Sequence, residues 1–302
     1  MPLTYSTADK VTPERKLNLR VRFPKDAPGP LPAVVVIHGG GFNNGGHNSL
    51  EDWGRALAKA GYVAIHFANI EDEPTSPCAA LGIPASECTA EYLTKEVSEG
   101  GTIFASMYSR PQDAAAILDQ LDAIEAKVGV TIDRDRIGAL GHSGGAHATM
   151  SLAGLSVDVS PSVRDVVWGE DPRFKAVVAN SPQGIGRVGV HAKSWDGITR
   201  PVLIQTGSGD ATADEEPAGR RDPFKYLKGP DVFEHFLDDV SAKHPQFALE
   251  QDPGVTGNEL ALATTAGAFL DAYLKGRKEA IDWLASEALS GATGGVSTLA
   301  RK

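Results

Sequence analysis

Hydrophobic and polar positions alternate along the chain with two different periods, and these predict strands and helices in turn. Residues 17–23 alternate between apolar and polar side chains, the pattern of a strand with one buried face. Residues 33–37 form an unbroken apolar run rich in valine, which is typical of a strand buried on both faces. Comparable apolar runs predict further strands over residues 62–67, 136–140, 174–179, 201–206 and 232–237.

Apolar side chains spaced three and four residues apart predict helices between these strands. The first extends from Ser49, a suitable N-cap, to Gly61, a suitable stop, with Trp53 and Leu57 on its apolar face. Further helices are predicted over residues 111–128, from about residue 143 onward, and over residues 258–275, the last of the chain.

The alternation of strands and helices over the whole length predicts an α/β fold, with a largely parallel sheet and helices on both faces. The 302 residues contain no repeat and no linker-like change in composition, so a single domain over residues 1–302 is expected. Residues 69–109 interrupt the alternation and are expected to form a lid-like insertion. Cys78 and Cys88 lie within it, and the residues alone leave open whether they form a disulfide.

Charge and composition exclude several classes of protein. The chain has 29 basic and 39 acidic residues and a net charge of −10, which gives no general attraction for nucleic acid or anionic lipid. No apolar run reaches the ~18–20 residues of a membrane span. The N-terminus has no apolar core of a signal peptide, which favours the cytoplasm unless a leader has been removed. Two cysteines are too few for a cysteine-based zinc site, and neither a metal nor another cofactor is expected.

The strongest chemical signal is the segment Gly141-His142-Ser143-Gly144-Gly145, which matches the pattern G-x-S-x-G. A predicted strand precedes it and a helix of small residues follows, and this is the context in which such a serine acts as a nucleophile. Ser143 is therefore the predicted nucleophile. The alternative is a glycine-rich turn that contains a serine by chance.

A second glycine-rich segment, His38-Gly39-Gly40-Gly41-Phe42, follows a predicted buried strand. Acyl transfer develops a negative charge on the substrate oxygen, and backbone N–H groups that point at this oxygen stabilise it. The predicted oxyanion-hole donors are Gly40, Gly41 and Gly144. A phosphate-binding loop is the alternative, but the chain lacks the glycine spacing of the known phosphate-binding motifs.

A serine nucleophile requires a base, and four histidines follow Ser143 in the sequence. His244 is the predicted base because it lies in a loop directly after a strand, at the sheet edge where α/β sites form. His191 is the reserve candidate. His147 lies one turn into the predicted helix and His235 lies within a strand, so both are expected to pack in the interior.

The predicted acid that orients the base is Asp210, which follows a strand in the turn Gly207-Ser208-Gly209-Asp210. Asp214, Glu215 and Glu216 follow closely, and one of them is an alternative acid. Three side chains are candidates for lining a substrate pocket: Phe42, His142 and Trp195. For Phe42 and Trp195, a role in packing fits the sequence equally well.

These motifs, in this order, resemble the α/β-hydrolase superfamily over roughly residues 15–285. A closer resemblance is to bacterial predicted dienelactone hydrolases, which are akin to platelet-activating-factor acetylhydrolases and cutinase-like polyester hydrolases. The segments that carry it include Ser109-Arg110-Pro111, residues 135–147, Asp171-Pro172-Arg173-Phe174, Ser181-Pro182-Gln183-Gly184 and residues 206–210. The resemblance implies a metal-independent serine hydrolase of carboxylic esters.

The chain departs from that family at two points. Dienelactone hydrolases proper use a cysteine nucleophile where this chain has Ser143, and the triple glycine of residues 39–41 is more similar to hormone-sensitive-lipase-type esterases. The expected function is hydrolysis of a small-molecule or lipid-like ester through an acyl-enzyme. The alternatives are a serine peptidase or amidase on the same fold, and a catalytically silent binding protein. The sequence indicates neither the substrate nor the oligomeric state.

Overall fold

The computed structural model describes residues 1–6, 14–25, 27–40, 46–69, 102–160, 162–249 and 257–302. Most of the predicted insertion, including Cys78 and Cys88, lies outside the described residues, as do Gly41 and Phe42. Within the described ranges, no helix combines the length and the apolar character that a membrane crossing requires.

A nine-stranded, largely parallel sheet forms the centre of the fold, in the order β1-β2-β4-β3-β5-β8-β9-β10-β11. The six strands from β4 to β10 in this order are parallel, while β1, β2 and β11 add antiparallel pairs at the two edges. The strands are β1 (Pro2–Ser6), β2 (Glu14–Arg22), β3 (Leu31–Ile37), β4 (Val63–Asn69), β5 (Ile132–His142), β8 (Phe174–Asn180), β9 (Val202–Gly207), β10 (Val232–Leu237) and β11 (Ser297–Arg301). A separate two-stranded ribbon pairs β6 (Ser156–Val157) with β7 (Val166–Val167).

Helices cover both faces of the sheet, as the alternating pattern predicted. They are α1 (Glu51–Lys59), α2 (Thr102–Asp119), α3 (Leu121–Val128), α4 (Gly144–Ala153), α5 (Asp222–Tyr226), α6 (Gly257–Lys275), α7 (Lys278–Leu284) and α8 (Ala288–Ala292). One core contains residues of α2, α3 and α4, and the other contains residues of α1, α6 and α7. Val35 packs into the first core and its neighbours Val34 and Val36 into the second, because successive side chains of a strand point to opposite faces.

Three details of the sequence-based prediction are wrong. The helix predicted over residues 111–128 is two helices, α2 and α3, and α2 begins at Thr102, so Pro111 lies inside it. Pro111 packs tightly against Gly169, where a Cβ would lie 2.4 Å from the Pro111 Cβ, so tertiary packing overrides the preference of proline for a first turn. Leu50, at a φ of 58°, occupies the N-cap of α1 that was predicted for Ser49.

The third error concerns the C-terminus. α6 is not the last helix, because α7, α8 and β11 follow it. β11 is an edge strand with a single buried residue, Ser297, so its sequence lacks the apolar pattern that reveals the inner strands.

Candidate active site

Ser143 lies at the turn between β5 and α4, at the carboxyl end of a central parallel strand. Its φ of 54° and ψ of −119° are unusual for a residue with a side chain, and such conformations cost about 1–3 kcal/mol. The turn is fixed from both sides. The Ser143 N–H donates to the Asn180 carbonyl (2.9 Å), and the His147 N–H donates to the Ser143 carbonyl (3.1 Å).

Two glycines allow the neighbouring backbone to contact this turn. A Cβ at Gly145 would lie 2.0 Å from the Ile37 carbonyl oxygen, so α4 approaches the end of β3 more closely than any side chain permits. A Cβ at Gly39 would lie 2.9 Å from the His142 carbonyl oxygen and 3.1 Å from the Ser143 Cβ. Gly39, in the segment predicted to form the oxyanion hole, therefore lies directly against the predicted nucleophile.

Arg110 binds the backbone of this glycine segment. It lies on α2 with 2% of its surface exposed, and its guanidinium donates to the Gly40 carbonyl (2.7 Å). His38 donates from Nδ1 to the Gly39 carbonyl (2.9 Å). Burial, together with the nearby Arg110 charge, lowers the pKa of His38 to about 3, so this ring is neutral near neutral pH.

His244 and Asp210 form the predicted base–acid pair. The His244 Nδ1 donates to the Asp210 Oδ1 over 2.7 Å. Asp210 follows β9 and is fully buried, whereas His244 follows β10 and has 16% of its side chain exposed. A buried carboxylate bonded to Nδ1–H leaves the opposite nitrogen, Nε2, as the one that accepts a proton.

The second carboxylate oxygen of Asp210 also accepts hydrogen bonds. Its Oδ2 accepts hydrogen bonds from the Ser181 hydroxyl (2.6 Å) and the Thr206 hydroxyl (2.8 Å). Burial alone would raise the pKa of Asp210. The hydrogen bond from His244, the Arg220 charge and the Ser181 hydroxyl outweigh it and hold the pKa below its usual value. Asp210 is therefore an ionised acceptor near neutral pH.

His142, the residue before Ser143, links the two halves of the site. Its Nε2 lies 3.0 Å from the His244 carbonyl oxygen, and the two rings are 4.5 Å apart between centroids. Since a carbonyl can only accept, Nε2 carries the proton. Burial and the neighbouring His244 lower the pKa of His142 to about 3, so the ring stays neutral beside the base. His142 was predicted as a pocket residue, and the structure places it against the base.

The Ser143 hydroxyl and the His244 ring share no hydrogen bond in the part of the chain that the structure describes. Catalytic hydrogen bonds often form only when substrate is bound, and a resting site without this bond is compatible with the pair. The two residues are connected instead through His142.

The other predicted candidates lie elsewhere. His147 and His235 are buried, with 4% and 0% exposed surface, as their packing roles predicted. Trp195 is 1% exposed and stacks on Tyr226 (5.9 Å), so it belongs to the core and does not line an open pocket. Of the alternative acids, Glu215 accepts the Gly184 N–H (2.5 Å) rather than a histidine.

One group of possible metal ligands lies outside this site. Among the described residues, Asp158, Asp165 and His191 place their donor atoms within 4.8 Å of one another. The His191 Nδ1 accepts the Lys193 N–H (3.3 Å), so the ring proton resides on Nε2, which faces Asp165 at 3.1 Å. A metal would need the Nε2 lone pair, so this protonation state does not fit a metal ligand, and the Nε2 contact with Asp165 lacks hydrogen-bond geometry. His191, the reserve candidate for the base, therefore lies beside Asp158 and Asp165 and not beside Asp210.

The sequence-based reasoning missed Arg220 entirely. This side chain is 2% exposed and donates from Nε to the backbone carbonyl of Asp210 (2.9 Å). Ser181 and Thr206 were also missed as partners of the acid, although Ser181 belongs to a segment that carries the family resemblance. No local pattern marks Arg220, because its role depends on two loops that meet only in the folded chain.

A scan of protein-family models finds no match to this chain, and no curated protein matches it.

Proposed function

We propose that this chain is a serine hydrolase of the α/β-hydrolase type, which cleaves carboxylic esters through an acyl-enzyme. Three features support the proposal. Ser143 occupies a strained strand–helix turn, a glycine segment after β3 lies against it, and the acid and base follow the serine in the order Ser, Asp, His. This arrangement corresponds to a nucleophile elbow with its oxyanion loop.

The observation that carries the proposal is the buried contact of 2.7 Å between the His244 Nδ1 and the Asp210 Oδ1. The position of His244 relative to Ser143 is fixed by a second contact. The His244 carbonyl is bound by His142, the residue covalently joined to Ser143. An oriented imidazole beside a serine in a strained turn is the arrangement that activates a hydroxyl for attack.

The mechanism follows from the roles of these groups. The Ser143 Oγ attacks the ester carbonyl while the His244 Nε2 takes its proton, and Asp210 stabilises the resulting imidazolium. Backbone N–H groups of Gly144, Gly40 and Gly41 stabilise the oxyanion. His244 then protonates the departing alcohol, and water cleaves the acyl-enzyme by the same route.

Hydrolysis of p-nitrophenyl acetate tests the proposal. Ser143→Ala and His244→Ala should each reduce kcat by more than about 1,000-fold, since nucleophile and base act as a unit. Ser151→Ala and His191→Ala serve as matched controls and should retain activity, because Ser151 donates to the His147 carbonyl and His191 faces Asp165. A fluorophosphonate should label wild-type protein at Ser143, as mapped by mass spectrometry.

Near-wild-type turnover in Ser143→Ala would contradict the mechanism. Faster cleavage of an amide than of the ester with the same acyl group would favour a peptidase or amidase. A chain that binds esters without turnover and resists the fluorophosphonate would be a binding protein.

A further inference from the structure

Arg220 is a buried cation that joins the two loops behind the predicted acid. Its guanidinium donates to the carbonyls of Asp210 (2.9 Å), Ser181 (2.9 Å) and Pro182 (3.3 Å), and to the Thr212 hydroxyl (3.2 Å). These bonds connect the loop after β8 with the loop after β9. Arg220 therefore fixes the backbone from which Asp210 projects.

The same guanidinium lies between two buried carboxylates. Its Nε is 3.2 Å from the Asp210 Oδ1, the oxygen that also accepts the His244 hydrogen bond. The Arg220 Nη1 is 3.4 Å from the Glu215 Oε2, and the Glu215 side chain is 7% exposed. The remaining Glu215 oxygen accepts the Gly184 N–H, so both carboxylate oxygens of Glu215 have a partner.

This arrangement has a consequence for the base. A positive charge at Arg220 opposes the formation of a second positive charge on His244, and such effects are strong where water is excluded. The Glu215 carboxylate offsets that charge. With Asp210 and Glu215 both ionised, one net negative charge remains to balance the imidazolium.

We propose that Arg220 and Glu215 form a buried charge pair that positions Asp210 and sets the proton affinity of His244. Both are positioning residues, since they act on the reaction through Asp210. The inference rests on the function proposed above, because it assigns the roles of acid and base to Asp210 and His244.

The other charged and titratable groups around the pair are consistent with this role. His142 faces the base but stays neutral, with a pKa lowered to about 3 mainly by burial. Burial raises the pKa of Glu215, while the charges of Arg220 and Arg187 oppose this rise. Arg187 lies 3.8 Å from Asp214 as well, so its charge is shared with a more exposed carboxylate.

The test compares Glu215→Gln with Glu216→Gln, which removes the same charge from the exposed neighbouring residue. The readouts are the pH profile of kcat/KM and an NMR titration of the His244 ring. Glu215→Gln should lower kcat about tenfold and move the His244 midpoint and the acidic limb down by about half a pH unit or more. Glu216→Gln should move neither.

Arg220→Gln should move the midpoint in the opposite direction, toward higher pH, because it removes a positive charge beside the base. The double variant, Arg220→Gln with Glu215→Gln, should return the midpoint toward the wild-type value. If Arg220 and Glu215 were purely structural, both variants would lose activity but the His244 midpoint would not shift in opposite directions. Unchanged midpoints in both single variants would therefore overturn the inference. If Glu215→Gln does not fold, Glu215→Asp keeps the charge and should leave the midpoint in place, and a shift there would also overturn it.

The NMR titration needs no turnover, so it separates this inference from the proposed function. If the His244 midpoint shifts in opposite directions in the two single variants but the protein has no esterase activity, the charge pair is supported and the proposed function is refuted. If the protein is an esterase but the His244 midpoint does not move in either variant, the proposed function is supported and only the charge pair is refuted.

Discussion

The two sides of the candidate site are held in place by different physical interactions. On the acid side, Asp210 is fixed by hydrogen bonds from His244, Ser181 and Thr206 and by the charge of Arg220. On the oxyanion side, Gly39 lies against the serine turn at a distance that leaves no room for a Cβ. Directional hydrogen bonds can be weakened one at a time, whereas close backbone contact is lost with a single methyl group. Loss of one hydrogen-bonding partner should therefore lower activity gradually, whereas a Cβ at a glycine in close backbone contact should act abruptly.

Gly145→Ala should have the largest effect, because its Cβ would lie 2.0 Å from the Ile37 carbonyl oxygen. Neither backbone can move without displacing β3 or α4, so we expect a loss of more than about 4 kcal/mol in the free energy of unfolding, and no activity. Urea denaturation measures this loss.

Gly267→Ala is the matched control, because it lies within α6 and a Cβ there meets nothing within 4 Å. It should leave stability unchanged or raise it by up to about 1 kcal/mol. Equal stability of Gly145→Ala and Gly267→Ala would refute the account of the oxyanion side.

Asp210→Asn should have the next largest effect, and it should lower activity far more than stability. An amide in place of the carboxylate no longer stabilises the correct His244 tautomer or the imidazolium, so kcat should fall by about 10,000-fold. Steady-state kinetics with p-nitrophenyl acetate measure the change, and Asp214→Asn serves as control. A loss below about tenfold would remove Asp210 from the mechanism.

Arg110→Met tests a long, buried side chain that donates a hydrogen bond to the oxyanion side. The guanidinium donates to the Gly40 carbonyl over 2.7 Å, so its loss should allow that peptide group to reorient. We expect kcat to fall on the order of 10- to 100-fold with little change in KM, since a misplaced donor weakens only transition-state binding. Arg55→Met, on the exposed face of α1, is the control. A change in KM alone would place Arg110 in substrate binding instead.

Acidification by a single pH unit should have the smallest effect per residue, and it acts on both sides of the site. Burial lowers the pKa to about 3 for His38 and His142 and to about 4 for His147. These values lie below the ordinary value of about 6.5, so the unfolded chain binds more protons between the two. Stability is thus complete above pH 6.5 and is lost as the pH falls toward 3, by up to about 1.4 kcal/mol per pH unit for each histidine.

Urea denaturation at several pH values measures this slope. His235 is buried in β10 with its pKa lowered to about 3 by burial, so His235→Gln should reduce the slope. His191→Asn, at a partly exposed position, should not. An identical slope in both variants would show that the acid sensitivity arises elsewhere.

The parts of the fold that depend on local pattern could be predicted from the sequence. The strand predicted over residues 232–237 has those bounds in the structure, and β8 ends one residue later than predicted. Both are largely buried strands, and apolar side chains occupy four of the six positions in β10 and five of the seven in β8. His244 and Asp210 could be assigned because parallel strands bring their carboxyl ends, and the loops after them, to one edge of the sheet.

The parts that depend on contacts between distant segments could not be predicted. Arg220 lies in a short 3-10 turn, Gly219–Arg221, and its charge is compensated by carboxylates that approach it only in the folded chain. The extension of α2 upstream of Pro111 has the same origin. Glu215 was visible as an alternative acid, but its partner was not.

The contact between His142 and the His244 carbonyl has a consequence for how such a site can vary. Ser143 and His244, the proposed nucleophile and base, are 101 positions apart in sequence number, yet the backbone of His244 is bound by the residue adjacent to Ser143. The loop from Asp238 to Ala242 is a second constraint, because a Cβ at Gly209 would lie 2.6 Å from the carbonyl oxygens of Val240 and Ala242. A change in the length of this loop would therefore disturb the turn that carries Asp210 as well as the position of His244. Sequence variation at this edge of the sheet is thereby limited to substitutions that keep both the His142 contact and the path of this loop.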